Sequence, residues 1–101
     1  MWLFAMFDLP VQSPKARRAY TQFRKLLLKN GFSMLQFSVY ARYFASEEAS
    51  LPQRARIRGG LPSKGEVRLI MVTDHQFGKM QVFYGKTEAP PEEAPKQLLL
   101  F

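Results

Sequence analysis

The chain opens on the stretch WLFAMFD, residues 2–8, in which six apolar positions precede an acid. A run of this length, closed by Pro10, reads as a buried strand. Trp2, Phe4 and Met6 fall on one face, and Leu3, Ala5 and Phe7 on the other. The period of two carries Asp8 onto the Trp2 face. Pro10 ends the strand because it has no N–H to give to a ladder.

The period then changes. Ala16, Ala19, Tyr20, Phe23, Leu26 and Leu27 recur at three- and four-residue steps, which is the apolar stripe of an amphipathic helix. Ser13 suits its N-cap, Pro14 its first turn, and Gly31, after Asn30, its C-terminal stop. Lys15, Arg17, Arg18, Arg24, Lys25 and Lys29 lie off the stripe.

Alternation returns over residues 32–44, FSMLQFSVYARYF, and predicts one long strand. Leu35, Phe37, Val39, Ala41 and Tyr43 would face the helices. Met34, Gln36, Ser38, Tyr40 and Arg42 would form a mixed face, with Tyr40 an interface or contact residue. Such length calls for a bulge or bend. A weaker helix is predicted over 46–58, capped by Ser46 or Ser50, with Pro52 tolerable only in its first turn. It carries Arg54, Arg56 and Arg58 and ends at Gly59-Gly60. EVRLIMVT (66–73) predicts a third strand, 74–79 a turn, and MQVFY (80–84) a fourth strand. TEAPPEEAP (87–95) reads as an extended linker. LLLF (98–101) would be sheltered by adding a strand to a sheet edge, in this chain or a partner's.

This order predicts an α+β fold: a ferredoxin-like βαββαβ-type sandwich, an antiparallel sheet with helices on one face and a C-terminal strand at an edge. Residues 1–86 would form the ferredoxin-like body and 87–101 the linker and edge strand of the same domain. The turn at 74–79 would replace the usual second crossover. The Trp2/Phe4/Met6/Asp8 face would lack helices, and two such faces could meet around a two-fold.

Charge sharpens the picture. The 101 residues carry a net charge of +7. The balance is +9 over residues 1–87 and −2 over 88–101. A basic body suggests a polyanionic partner, nucleic acid first. Arg17, Arg18, Arg24, Lys25, Arg42, Arg54, Arg56 and Arg58 are the candidate phosphate contacts, against the plain alternative of a solvated basic face. There is no cysteine, which excludes disulfides, thiolate metal sites and cysteine nucleophiles and fits a cytoplasmic protein. The N-terminal apolar run is too short for a membrane span and lacks the basic start of a signal peptide. His75, the single histidine, and Asp74 read as turn residues on the surface. Asp8 is open to two readings, a cap of the turn before the first helix or a working acid.

The strand ending MFDLP, the helix RRAYTQFRKLLLKNGF and the strand GFSMLQFSVYAR together resemble the number-two CRISPR-associated (Cas) protein family. The likeness continues through VTDHQF and QVFYG and is loosest between Ala45 and Gly65 and after Lys86. FDLP and QFSVY are most similar to forms found beside type II systems. The resemblance implies a homodimer that binds double-stranded DNA and works with the CRISPR integrase subunit during spacer acquisition. It also implies a magnesium-dependent endonuclease acting on RNA or DNA, with Asp8 as catalytic residue and metal ligand. A single carboxylate is a poor magnesium site, so the ion would sit at the dimer two-fold between two Asp8 side chains. Some relatives carry an arginine early in the second strand; Met34 stands at that place here. The rival reading is an RNA-recognition module of the same topology, which requires exposed aromatics on the central strands.

Overall fold

The computed structural model describes residues 1–90. Strand β1 (Trp2–Asp8) leads to helix α1 (Pro14–Lys29), strands β2 (Ser33–Gln36) and β3 (Val39–Tyr43), helix α2 (Glu47–Gly59) and strand β4 (Glu66–Val72). The short helix α3 (Asp74–Gly78) and strands β5 (Val82–Tyr84) and β6 (Thr87–Ala89) follow. The first four strands form an antiparallel sheet in the order β2-β3-β1-β4. This is the βαββαβ ferredoxin-like arrangement, with α1 and α2 as its two crossovers.

The topology matches the expectation, but through a different assignment of strands. Residues 32–44 are a hairpin rather than one strand. The chain reverses at Phe37 and Ser38, and Ser38 takes a left-handed φ of 64°. The Ser38 carbonyl accepts from the Phe7 N–H at 3.1 Å, and its hydroxyl bonds the Tyr20 hydroxyl at 3.1 Å. These bonds hold the turn without the Gly or Asn that usually marks one. The bulge also exists: the register shifts between Met34 and Gln36.

The hairpin reverses the predicted faces of this segment. Tyr40 pairs with Ala5 and lies on the helix side, 1 % exposed, stacked on Phe7 at 5.7 Å. It is a core residue, not a surface contact. Ala41 and Tyr43 pack instead with Trp2 on the opposite face, as does Leu35. A one-residue change of register moves every side chain of a strand to the other face.

The main core lies between helices and sheet. Leu3, Ala5 and Phe7 meet Phe23 and Leu27 of α1 and Ile57 of α2. Burying each of these larger side chains contributes about 1.5–3 kcal/mol. Helix α1 is capped as predicted: Ser13 Oγ accepts from the Ala16 N–H at 3.0 Å, and Gly31 follows with φ 84°. Helix α2 is capped by Ser46, whose Oγ accepts from the Ala49 N–H at 3.1 Å. Pro52 sits inside α2 rather than in its first turn. It is exposed, so its ring lies on the solvent side and the helix gives up one hydrogen bond there.

The second face of the sheet is partly covered. Phe77 of α3 stacks on Trp2 at 4.2 Å and meets Phe4 edge-on at 6.0 Å. The expectation of a bare face therefore holds only toward the Asp8 end. Strand β5 does not join the main sheet. It pairs with β6, so residues 87–89 are strand rather than linker. The linker beyond Pro90 and the edge strand expected at 98–101 lie outside the described residues. Among the described residues no helix is long and apolar enough to cross a membrane.

Candidate nucleic-acid interface and metal-facing acid

The outer side of α1 gathers Arg17, Arg18 and Lys25 into one groove with Pro14, Thr21 and Gln22. These positions recur at three- and four-residue steps on the side away from the Phe23–Leu27 stripe. All are exposed. Arg17 Nη1 donates to the Val11 carbonyl at 3.1 Å, which ties it to the loop leading into the helix. The first turn of α1 holds no acid, so the positive end of the helix dipole adds to the arginines. Lys15 and Lys64 line a second groove beside Leu9 and Pro10, just past Asp8. Lys64 is not a candidate on sequence grounds, because only the loop before β4 brings it there.

The remaining cations are spread. Arg24 and Arg58 are exposed and line neither α1 groove. Arg54 Nε donates to Ser50 Oγ at 3.1 Å. Arg42 is half-buried: its Nη1 donates to the Asn30 carbonyl at 2.6 Å, and its guanidinium lies 4.7 Å from the centre of the Phe44 ring. Arg56 lies beside it. Burial first, and the Arg56 charge second, pull the Arg42 guanidinium below its ordinary pKa.

Asp8 is exposed at the end of β1 and stands directly across the ladder from Glu66, the first residue of β4. Residues so opposed have Cβ atoms about 4.5–5.5 Å apart and share one face of the sheet. Met6, Asp8, Glu66 and Arg68 line a shallow depression there. Glu66 is held at 3.5 Å by Arg68 Nη2, an exposed and long ion pair. Sequence reasoning misses Glu66, since only the β1–β4 register reveals it. Two carboxylates in one place are a credible start for a magnesium site, which needs few protein ligands and keeps its waters. Among the described residues no group of three or more His, Cys, Asp or Glu converges. His75 is exposed on α3, and Asp74 accepts from the Met1 amino group at 2.8 Å.

A small basic ferredoxin-like domain, with an acid at the open end of its first strand, defines the class. Comparison with known proteins narrows it. Residues 1–80 match the family model for CRISPR associated protein Cas2. The chain is similar to the CRISPR-associated endoribonuclease Cas2 of Parvibaculum lavamentivorans, 50% identical over 101 residues and covering 100% of both chains. It is 44% identical over 101 residues to the protein of that name from Flavobacterium psychrophilum, covering 100% of this chain and 88% of the relative. With the Streptococcus mutans protein of that name it shares 35% identity over 99 residues, 98% of this chain and 91% of the relative. The chain belongs to the Cas2 family.

Proposed function

We propose that this chain acts as a homodimeric adaptor that binds double-stranded DNA beside the CRISPR integrase while new spacers are acquired. The observation that carries the reading is the α1 groove, where Arg17, Arg18 and Lys25 stand exposed with no acid in the adjoining first turn. Cations so placed contact phosphates, giving affinity without sequence preference. The dimer is supported by apolar surface. Ile70, paired with Phe4 on the open face, is 48% exposed, and Phe83 and Tyr84 of the second sheet are 53% and 74% exposed. A small monomer gains little by leaving such residues in water.

The test is duplex binding across a salt series, comparing the parent with Arg17→Glu/Arg18→Glu. The doubly substituted chain binds more weakly at every sequence. Its salt slope falls by about 2, near 0.9 for each phosphate that is no longer neutralised. An unchanged affinity and slope remove the α1 groove from the reading.

A second reading, phosphodiester hydrolysis, is favoured by Asp8 facing Glu66 and by the endoribonuclease name of the relatives. Asp8, with Glu66, would hold the magnesium ion, and apposed open faces would bring two such pairs together at the two-fold. A bound ion supplies Lewis acidity toward a phosphoryl oxygen. Asp8 and Glu66 would fix its position, and the α1 cations would hold the strand. Asp8→Ala abolishes hydrolysis on this reading and leaves duplex binding and spacer integration intact. The RNA-recognition reading gains no support: on β1 and β3, Trp2 and Tyr40 are buried and Phe4 and Tyr43 half-buried, so the central strands offer no open stacking platform.

A further inference from the structure

Away from the α1 groove and from Asp8, the C-terminal end of α1, the end of β3 and α2 border an open basin of about 570 Å³. Lys29, Arg42 and Arg56 line it, one cation from each element, together with Asn30, Gln53 and Phe44. Arg42 is fixed there by the Asn30 carbonyl and the Phe44 ring. Gly31 leaves it room: a Cβ at that position would lie 3.3 Å from the guanidinium carbon. Oriented to satisfy its hydrogen bonds, the Gln53 amide donates to Asn30 Oδ1 at 3.1 Å and accepts from Nη1 of both Arg42 and Arg56, each at 3.1 Å.

Two guanidiniums thus share one neutral oxygen. Among the described residues the only ion pairs within 4 Å are Met1–Asp74 and Glu66–Arg68, so no described carboxylate pairs with these cations. Packing alone explains Arg42, which closes the end of α1 and covers Phe44. It does not explain why Arg56, whose charge works against that of Arg42, lines the same basin together with Lys29. An anion would supply the missing counter-charge, and guanidinium groups match a phosphate through paired, charge-assisted hydrogen bonds.

We propose that this basin is a pocket for a single phosphate group, held by Arg42, Arg56 and Lys29 and separate from the α1 groove. The pocket does not depend on the adaptor reading, because a nucleic-acid backbone and a free phosphate compound present the same chemistry.

The experiment uses the full chain labelled with ¹⁵N and titrated with inorganic phosphate, ionic strength being held constant with chloride. The Gln53 side-chain amide and the Arg42 Nε–H resonances shift and saturate. Arg56→Gln weakens the response roughly tenfold, the loss expected for one charged hydrogen-bond donor. Lys29→Gln serves as a second variant should Arg56→Gln fail to give a folded spectrum. Arg17→Glu/Arg18→Glu keeps the response, although it weakens duplex binding under the adaptor reading. Adding a DNA duplex to the phosphate-loaded protein identifies the source. Displacement marks a backbone phosphate as the ligand, and retention marks a free phosphate compound. Shifts that match those of chloride, persist in both pocket variants, or vanish in Arg17→Glu/Arg18→Glu overturn the proposal.

Discussion

Asp8, the last residue of β1, stands across the antiparallel ladder from Glu66, the first residue of β4. Like charges in directly opposed positions destabilise a sheet, and a cation between them reverses the sign. Asp8→Asn therefore raises the melting temperature of the metal-free protein, by on the order of 2 °C. The same change removes any stabilisation by magnesium. Thermal unfolding with chelator and with magnesium reads both effects. A parent protein indifferent to magnesium, with Asp8→Asn no more stable, would show the two acids to be independent.

Gly65 precedes Glu66 with φ 92°, and a Cβ there would lie 2.7 Å from the Asp8 carbonyl oxygen and from Leu9 Cδ2. Backbone strain and collision act together, so Gly65→Ala costs about 1–3 kcal/mol. Gly59, at the end of α2, meets nothing within 4 Å. Gly59→Ala is neutral or gains up to about 0.5 kcal/mol, since alanine restricts the unfolded chain. Denaturant unfolding of the two variants checks the contrast, which fails if they respond alike.

Trp2 is the single tryptophan and is 5% exposed beneath Phe77. Phe77→Ala removes that cover. The variant loses about 3–5 kcal/mol, and its tryptophan emission moves to longer wavelength. Unaltered emission in a folded Phe77→Ala protein would contradict the placement of α3 over the sheet.

Much of this fold can be read from local signals. Ser13-Pro14, the six-residue stripe and Gly31 specify α1, and the apolar run closed by Pro10 specifies β1. The hairpin inside residues 32–44 cannot be read this way. Its turn, Gln36-Phe37-Ser38-Val39, contains no Gly, Asn, Asp or Pro, and apolar alternation runs straight through it. What reverses the chain is long-range: Ser38 is held by Phe7 and Tyr20, which are distant in sequence. Without that turn, alternation points Tyr40 away from the helices, the opposite of where it lies. The β5–β6 hairpin carries a clearer signal, because Gly85-Lys86 after Val82-Phe83-Tyr84 is a two-residue turn; Gly85 has φ 62°.

The site divides in the same way. Arg17, Arg18 and Lys25 share a groove because they lie within three turns of one helix, so their spacing can be read directly. Glu66 becomes the neighbour of Asp8 only through strand register. Lys29, Arg42, Gln53 and Arg56 meet through three elements far apart in the chain, and no local spacing announces them.

Sedimentation velocity of the full chain mixed with a DNA duplex at physiological salt tests the central claim most directly. The account predicts a dimer alone and a two-chain complex with duplex, lost on Arg17→Glu/Arg18→Glu while the dimer persists. Single chains at every concentration, sedimenting apart from the DNA, would contradict it.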